Sequence, residues 1–287
     1  MDEGLILALL TTLFWSTVAT AFKLTLRYLD FRNMLFYSSL TSFLILSLIT
    51  LFKNKKIFTI RSKKEILNSL FLGFLNPYLY YLILFRAYSL LKAQIAQPLN
   101  YTWPIVLSIF SALILKSKIK KINILSLLIS FTGVFIISTE GNIFKIKIQE
   151  PLGVFLAISS SFIFALYWIF NLKDKREEVE KLSLNFFFGF IYILITQFLT
   201  GSLKIINFKG LLGSIYIGLF EMGITFLIWL KALKKSKNIA LTSNIIYLSP
   251  FLSLFFINLI LREKILISTF FGLILIVSGI ILNRLAT

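Results

Sequence analysis

Apolar runs of about 20 residues follow one another along almost the whole chain, separated only by short, basic connections. A helix needs about 20 such residues to cross the hydrocarbon core of a bilayer. By that measure the sequence predicts ten spans, near residues 4–23, 33–52, 66–85, 94–115, 122–139, 152–171, 183–202, 211–231, 239–261 and 265–283. The runs are continuously apolar rather than alternating, so helices that satisfy their own backbone are expected and a barrel is not. The expected fold class is an all-α integral membrane protein with ten transmembrane helices. The longest connections, 140–150 and 172–183, leave no room for a second soluble domain, and Pro151 suits the first turn of the sixth helix.

Composition excludes several function classes. Hydrophobic residues make up 58% of the chain, too many for a soluble domain of this length. The net charge of +18 could suggest nucleic acid, but the Lys and Arg residues punctuate apolar runs instead of clustering on a polar face. They read as a topology signal, and no nucleic-acid partner is expected. Without Cys or His, thiol chemistry, disulfides, His-ligated haem and the usual zinc sites are absent, so neither metal nor cofactor is expected. Nothing fits G-x-x-x-x-G-K-[ST], and no Ser-His or Cys-His pair can exist, so the chain reads as a non-enzyme. Asp2 and Glu3 precede the first run where a cleaved signal would carry positive charge, so that span is expected to be retained despite Ala19-Thr20-Ala21.

The runs are duplicated. Leu113-Ile114-Leu115-Lys116-Ser117-Lys118-Ile119 returns as Leu259-Ile260-Leu261-Arg262-Glu263-Lys264-Ile265, and the same offset pairs Tyr101 with Tyr247, Pro104 with Pro250 and Gly133 with Gly279. An offset smaller by one pairs Gly73 with Gly218, Asn76 with Glu221, Arg86 with Lys231 and Ala87 with Ala232. The first unit is thus expected over residues 1–140 and the second over 151–287. The match carries span three onto span eight, and five is odd, so the two five-helix repeats are expected to be inverted. Inverted repeats suit alternating access, because the halves can exchange roles between inward-open and outward-open states.

Alternate connections differ in charge. One side holds Lys53, Lys55, Lys56, Arg61, Lys63 and Lys64, then Lys116, Lys118, Lys120 and Lys121, then Lys173, Lys175, Arg176 and Lys181, then Lys231, Lys234, Lys235 and Lys237, and finally Arg284. The other side is poorer. By the positive-inside rule both termini are expected in the cytoplasm of a multi-pass cell (inner) membrane protein. Glu177, Glu178 and Glu180, among basic neighbours, read as a solvated loop.

The paired motifs fall near mid-span, which implies a central site for a small-molecule substrate. Helical spacing puts Gln97, Tyr101 and Pro104 on one face of span four, Asn244, Tyr247 and Phe251 on one face of span nine, and Glu221, Thr225 and Trp229 on one face of span eight. Span three adds Asn76 and Tyr80. Such polar stripes are costly against lipid and are expected to face one another. Of the 12 acidic residues, Glu221 alone lies deep inside an apolar run. It could carry a coupled proton, pair with a substrate amine, or knit span eight to Asn76 or a tyrosine. Pro98, Pro104 and Pro250 interrupt backbone bonding, with Pro104 and Pro250 as gating candidates; plain bending for packing is the alternative. Trp15, Tyr101, Trp103, Tyr167, Trp168, Trp229 and Tyr247 could line a pocket, and Asn100 could orient a substrate. Lys23 is expected to snorkel to the surface.

The chain resembles the EamA family of the drug/metabolite transporter superfamily. The resemblance rests on Trp15 through Lys23, with Phe164 through Tyr167 as its weaker echo. It rests also on the Pro104 and Pro250 segments, each followed by an apolar run, a charged triplet and a Gly such as Gly133 or Gly279. Arg262-Glu263-Lys264 keeps the family's frequent Glu; Lys116-Ser117-Lys118 departs from it. Asn100-Tyr101-Thr102-Trp103-Pro104 is similar to a motif of aromatic amino acid exporters, whereas Tyr247-Leu248-Ser249-Pro250 lacks its Asn and Trp. The resemblance implies a central cavity and export of amino acids or related metabolites, by a monomer or homodimer. A flippase-like carrier of a lipid-linked headgroup is the rival, and would show a polar groove open to lipid. A membrane-embedded enzyme is the third reading, for which no convergent catalytic groups are found.

Overall fold

The computed structural model describes residues 3–54, 62–114, 121–142, 148, 150–201, 207–236 and 245–286. Among these the structure is all helical. Helices α1 (Glu3–Thr25), α2 (Phe31–Asn54), α3 (Lys63–Gly73), α4 (Tyr80–Leu90), α5 (Ala93–Asn100), α6 (Trp103–Ile114) and α7 (Lys121–Ser138) form the first part of the chain. Helices α8 (Pro151–Lys173), α9 (Glu178–Thr200), α10 (Phe208–Ile217), α11 (Ile224–Lys235), α12 (Ser249–Phe256) and α13 (Ile267–Ala286) form the second. Starts follow local chemistry. Asp30 accepts from the amides of Arg32 and Asn33 (3.0 and 3.1 Å), Asn207 accepts from Lys209 N (2.9 Å), and Pro151 occupies the first turn of α8.

Six stretches are long and apolar enough to cross a bilayer: α1, α2, Lys63–Leu90, α8, α9 and Phe208–Ala232. The other expected spans are built from shorter apolar helices, including Ile124–Ser138, Ile245–Leu261 and Ile267–Leu282. Large apolar side chains such as Phe52, Phe155, Phe198 and Phe208 point outward while many Ser, Thr and Asn side chains are buried. That is the arrangement of a protein whose solvent is lipid.

Several expected spans are interrupted. Wide turns of π type at Phe74–Leu79 and Gly218–Gly223 join α3 to α4 and α10 to α11. Inside the first, Asn76 is extended (φ −149°, ψ 121°), ahead of Pro77. Span four is two half-helices, α5 and α6, parted at Tyr101–Thr102. Pro104 and Pro250 therefore lie in the first turns of α6 and α12, where a missing amide costs no hydrogen bond, rather than at mid-helix kinks.

Helix α1 packs on α11 and α12, while α8 packs on α4 and α6; α2 lies against α9, and α7 along α13. At one rim, Lys173 and Lys175 between α8 and α9 are exposed and Glu177, Glu178 and Glu180 half-buried, while Asp174, Arg176 and Lys181 form a bonded cluster. Arg176 binds Asp174 through Nε and Nη2 and donates to Ser69 Oγ (2.7 Å), and Asn68 donates to Asp174 (2.9 Å). Lys181 donates to the carbonyls of Asn171 and Asp174, and Lys53 pairs with Glu177. Burial pushes the Asp174 carboxyl up, but the hydrogen bonds and charge of Arg176 prevail and hold it below 3.8. A carboxylate with a depressed folded value stabilises the fold above its unfolded value and loses that contribution as pH falls through the folded one. Asp174→Asn is expected to lower the melting temperature in detergent at neutral pH, by about 1–3 kcal/mol of stability. The deficit should shrink as pH drops below 3.8; a deficit constant with pH would mean that packing, not charge, sets it.

Candidate functional site

A cavity of about 60 Å³ lies between α1, α4, α5, α6, α8 and α11. Ten of its seventeen lining residues are aromatic, and these include all four tryptophans of the chain, Trp15, Trp103, Trp168 and Trp229. Tryptophans of membrane proteins favour the lipid headgroup level; here every one turns inward. The walls are rings braced against rings. Trp15 meets Trp229 and Phe226 at 6.0 and 5.9 Å, and Phe226 meets Trp168 at 5.8 Å. Phe164 stacks on Tyr80 at 4.4 Å and meets Trp103 edge-on at 5.3 Å.

Polar groups enter this aromatic box at few points. Glu221, carried by the Gly218–Gly223 turn, accepts from the Tyr81 hydroxyl (3.0 Å) through Oε1, and its other oxygen has no partner among the described residues. Gln97, on α5, lines the cavity with a buried Oε1 that has no partner among the described residues. Asn100 is held in place: its Nδ2 donates to Ser160 Oγ (2.8 Å) and its Oδ1 accepts from Tyr80 (3.3 Å). Where the helix parts after Asn100, Thr102 Oγ1 donates to the freed carbonyl of Leu99 (2.8 Å), so the break is satisfied internally.

The family model for EamA-like transporters matches residues 2–139 and again 151–285. The chain belongs to the EamA-like transporter family. It is 27% identical to an uncharacterized transporter of Clostridium kluyveri, over 99% of this chain and 93% of that one. It is 26% identical to an uncharacterized transporter of Archaeoglobus fulgidus, over 98% of each. A crystal structure superposes with a TM-score of 0.70 at 17% identity, covering 99% of this chain and 97% of that one. That likeness concerns the fold. Together these make the chain a multi-pass membrane transporter.

In this transporter the cavity gathers Trp15, Tyr80, Gln97, Asn100, Tyr101, Trp103, Glu221 and Trp229 from four separate spans of the sequence. Asn76, Tyr167, Thr225 and Tyr247 stand off its wall, and Asn244 lies outside the described residues. The wide turns explain the first and third. Each adds a residue to a helical turn, so the four-residue spacing from Glu221 to Thr225 no longer keeps one face. Thr225 instead donates to its own backbone at Phe220 (2.5 Å). Extended Asn76 turns away from Tyr80 and is fully buried by α8 and α9, where Tyr167 accepts from Asn171 (3.1 Å). Tyr247 packs on the core from a short 3₁₀ turn, Ile245–Leu248. Tyr88 and Phe226 line the cavity without having stood out in the sequence, and Phe22 and Phe164, there only parts of the two resembling segments, line it too.

Lys23, half-buried near the end of α1, stays outside the cavity lining. Its Nζ donates to the carbonyls of Tyr88 and Leu91 (both 2.9 Å), closing the C-terminal end of α4. The carboxylate of Glu263 accepts from the amides of Ala93 and Gln94 (3.1 and 3.4 Å), closing the N-terminal end of α5. The joint between α4 and α5 is therefore pinned from both sides by opposite charges that match the two helix ends.

Proposed function

We propose that the chain is a secondary carrier that moves small organic solutes by alternating access around this cavity. Export is the proposed direction and amino acids or related amphipathic metabolites the class that the resemblance implies. The observation that carries the reading is Glu221: an acidic group set among aromatic rings in a cavity within a bundle of apolar helices. The helix pairings support two inverted five-helix repeats over ten spans. Exchanging the halves turns the contact of α1 with α11 into that of α8 with α4, and the contact of α1 with α12 into that of α8 with α6, while α2 with α9 and α7 with α13 map onto themselves.

Glu221 is the proposed proton-coupling residue, with the basic-rich connections and both termini on the cytoplasmic side of the cell inner membrane. The cavity is lined by residues of one chain, which is compatible with transport by a monomer or by each protomer of a homodimer. The apolar cavity of about 240 Å³ between α6, α7 and α8 offers only Thr102 and Ser130 as polar lining, too little for a lipid-linked headgroup. Transport by proteoliposomes under an imposed pH gradient tests the reading. Wild type should respond to the gradient, and Glu221→Gln should lose that response even at solute concentrations high enough to saturate counterflow. A gradient response that survives in Glu221→Gln would remove it from the coupling role.

A further inference from the structure

We infer that the cavity selects organic cations that lack a carboxylate, with Glu221 as counter-ion and the aromatic walls as the cation's second partner. The inference rests on the carrier reading and narrows its cargo. Its basis is an asymmetry of charge. The lining holds one carboxyl group and neither Lys nor Arg. The nearest basic side chain on α1, Lys23, is outside the lining and already donates to two backbone carbonyls, with Glu263 beside them.

An α-amino acid brings both an ammonium and a carboxylate. Its ammonium would suit Glu221, but its carboxylate would have to leave water for a box of ring faces. Those faces carry negative π density, and a desolvated anion against them with no cationic partner is strongly disfavoured. A cation gains from the same rings, since an ammonium within about 6 Å of Trp and Tyr faces is held by their quadrupoles, most strongly where water is excluded. Trp15, Trp229 and Phe226 supply such faces from two helices.

Two more groups shape the choice. The unpartnered Oε1 of Gln97 can accept from an ammonium N–H, so primary amines gain a contact that quaternary ones cannot make. The unpartnered Nε1 of Trp168 can donate to a neutral oxygen such as a hydroxyl. A single neutral donor does not replace an Arg for a carboxylate. At about 60 Å³ the cavity holds a small headgroup, so larger cargo must part the rings.

Because all four tryptophans line the cavity, their fluorescence reports occupancy directly. The probe pair is 2-phenylethylamine and phenylalanine, which differ only by the α-carboxylate; the third probe is the trimethylammonium derivative of the amine. Purified full-length protein should bind the amine at least about tenfold more tightly than phenylalanine, a difference of ~1.4 kcal/mol. Glu221→Gln should weaken the amine about tenfold or more, and Gln97→Leu should weaken the primary amine but not its trimethyl derivative. The Gln97 contrast is a readout that general misfolding would not give. Phenylalanine binding as tightly as the amine, or amine binding untouched in both variants, overturns the inference. Counterflow separates the two readings. If phenylalanine exchanges and the amine does not, the cation inference fails and the carrier stands. If the amine binds but no probe crosses the vesicle, the carrier reading fails instead.

Discussion

Gly279→Leu is expected to abolish monodisperse folded protein in detergent, while Phe271→Leu on the same helix leaves the yield unchanged. The reason lies in the seam between α7 and α13. A Cβ on Gly279 would fall 2.1 Å from Ser130 Oγ and 2.6 Å from the carbonyl of Ser126. One on Gly133 would fall 2.4 Å from the carbonyl of Gly272. The helices approach closely enough for Ser130 to donate to the Ile276 carbonyl across the seam (3.2 Å). In lipid there is no hydrophobic gain from bringing two helices together, so close packing of small residues and such cross-helix bonds supply the association. A leucine at Gly279 forces backbones apart and removes both. The cost should exceed the ~1–3 kcal/mol usual for overpacking, because the atoms in the way include backbone that cannot rotate aside. Phe271 is 58% exposed and faces lipid, where leucine is as good a neighbour. Fluorescence-detected size exclusion measures the outcome; a normal peak for Gly279→Leu would mean that the seam is not close-packed.

Gly133 and Gly279 were visible in the sequence as a repeated pair, and the structure gives the pair its physical meaning. The aromatic and polar residues of spans one, four and eight were equally legible, since an apolar run that carries Trp15, Gln97, Asn100 or Glu221 has only one inexpensive place to turn them. What the sequence hides is register. Periodicity arguments assume 3.6 residues per turn, and the turns at Phe74–Leu79 and Gly218–Gly223 break that assumption at the residues of interest. Thr225 and Asn76 leave the expected face for that reason, and Tyr81, one position beyond the expected Tyr80, becomes the partner of Glu221. The parting of α5 from α6 was likewise hidden. Pro104 marks the start of a half-helix, a role that reads in sequence much like a kink. The repeated charged triplet pointed to duplication, but the task of its glutamate needs a contact between residues 93 and 263, which no local pattern records.

That contact yields the second large effect. Glu263→Ala is expected to raise the opening of the cavity toward the face that bears Glu263. Its carboxylate caps α5, and Gln94 in turn bonds back. Gln94 Nε2 donates to the carbonyl of Lys264 (3.0 Å), while its Oε1 accepts from Leu266 N (2.9 Å) and Thr269 Oγ1 (3.2 Å). Asn258 donates to the Glu263 carbonyl (3.0 Å), and so fixes the loop that presents the carboxylate. Removing a charged cap from a helix N-terminus costs about 0.5–2 kcal/mol. If the cap exists only in the closed state, a loss near the middle of that range shifts the closed-to-open ratio about tenfold. The chain has no cysteine, so Ala19→Cys, on the cavity wall, gives a single reporter. Its alkylation by a membrane-impermeant maleimide added from the Glu263 face should speed up about tenfold in Glu263→Ala and less in Glu263→Gln, which keeps an acceptor but not the charge. Reagent added from the opposite face should react no faster than before. Equal acceleration from both faces would indicate general loosening, and an unchanged rate would mean that the α4–α5 joint does not hold that end shut.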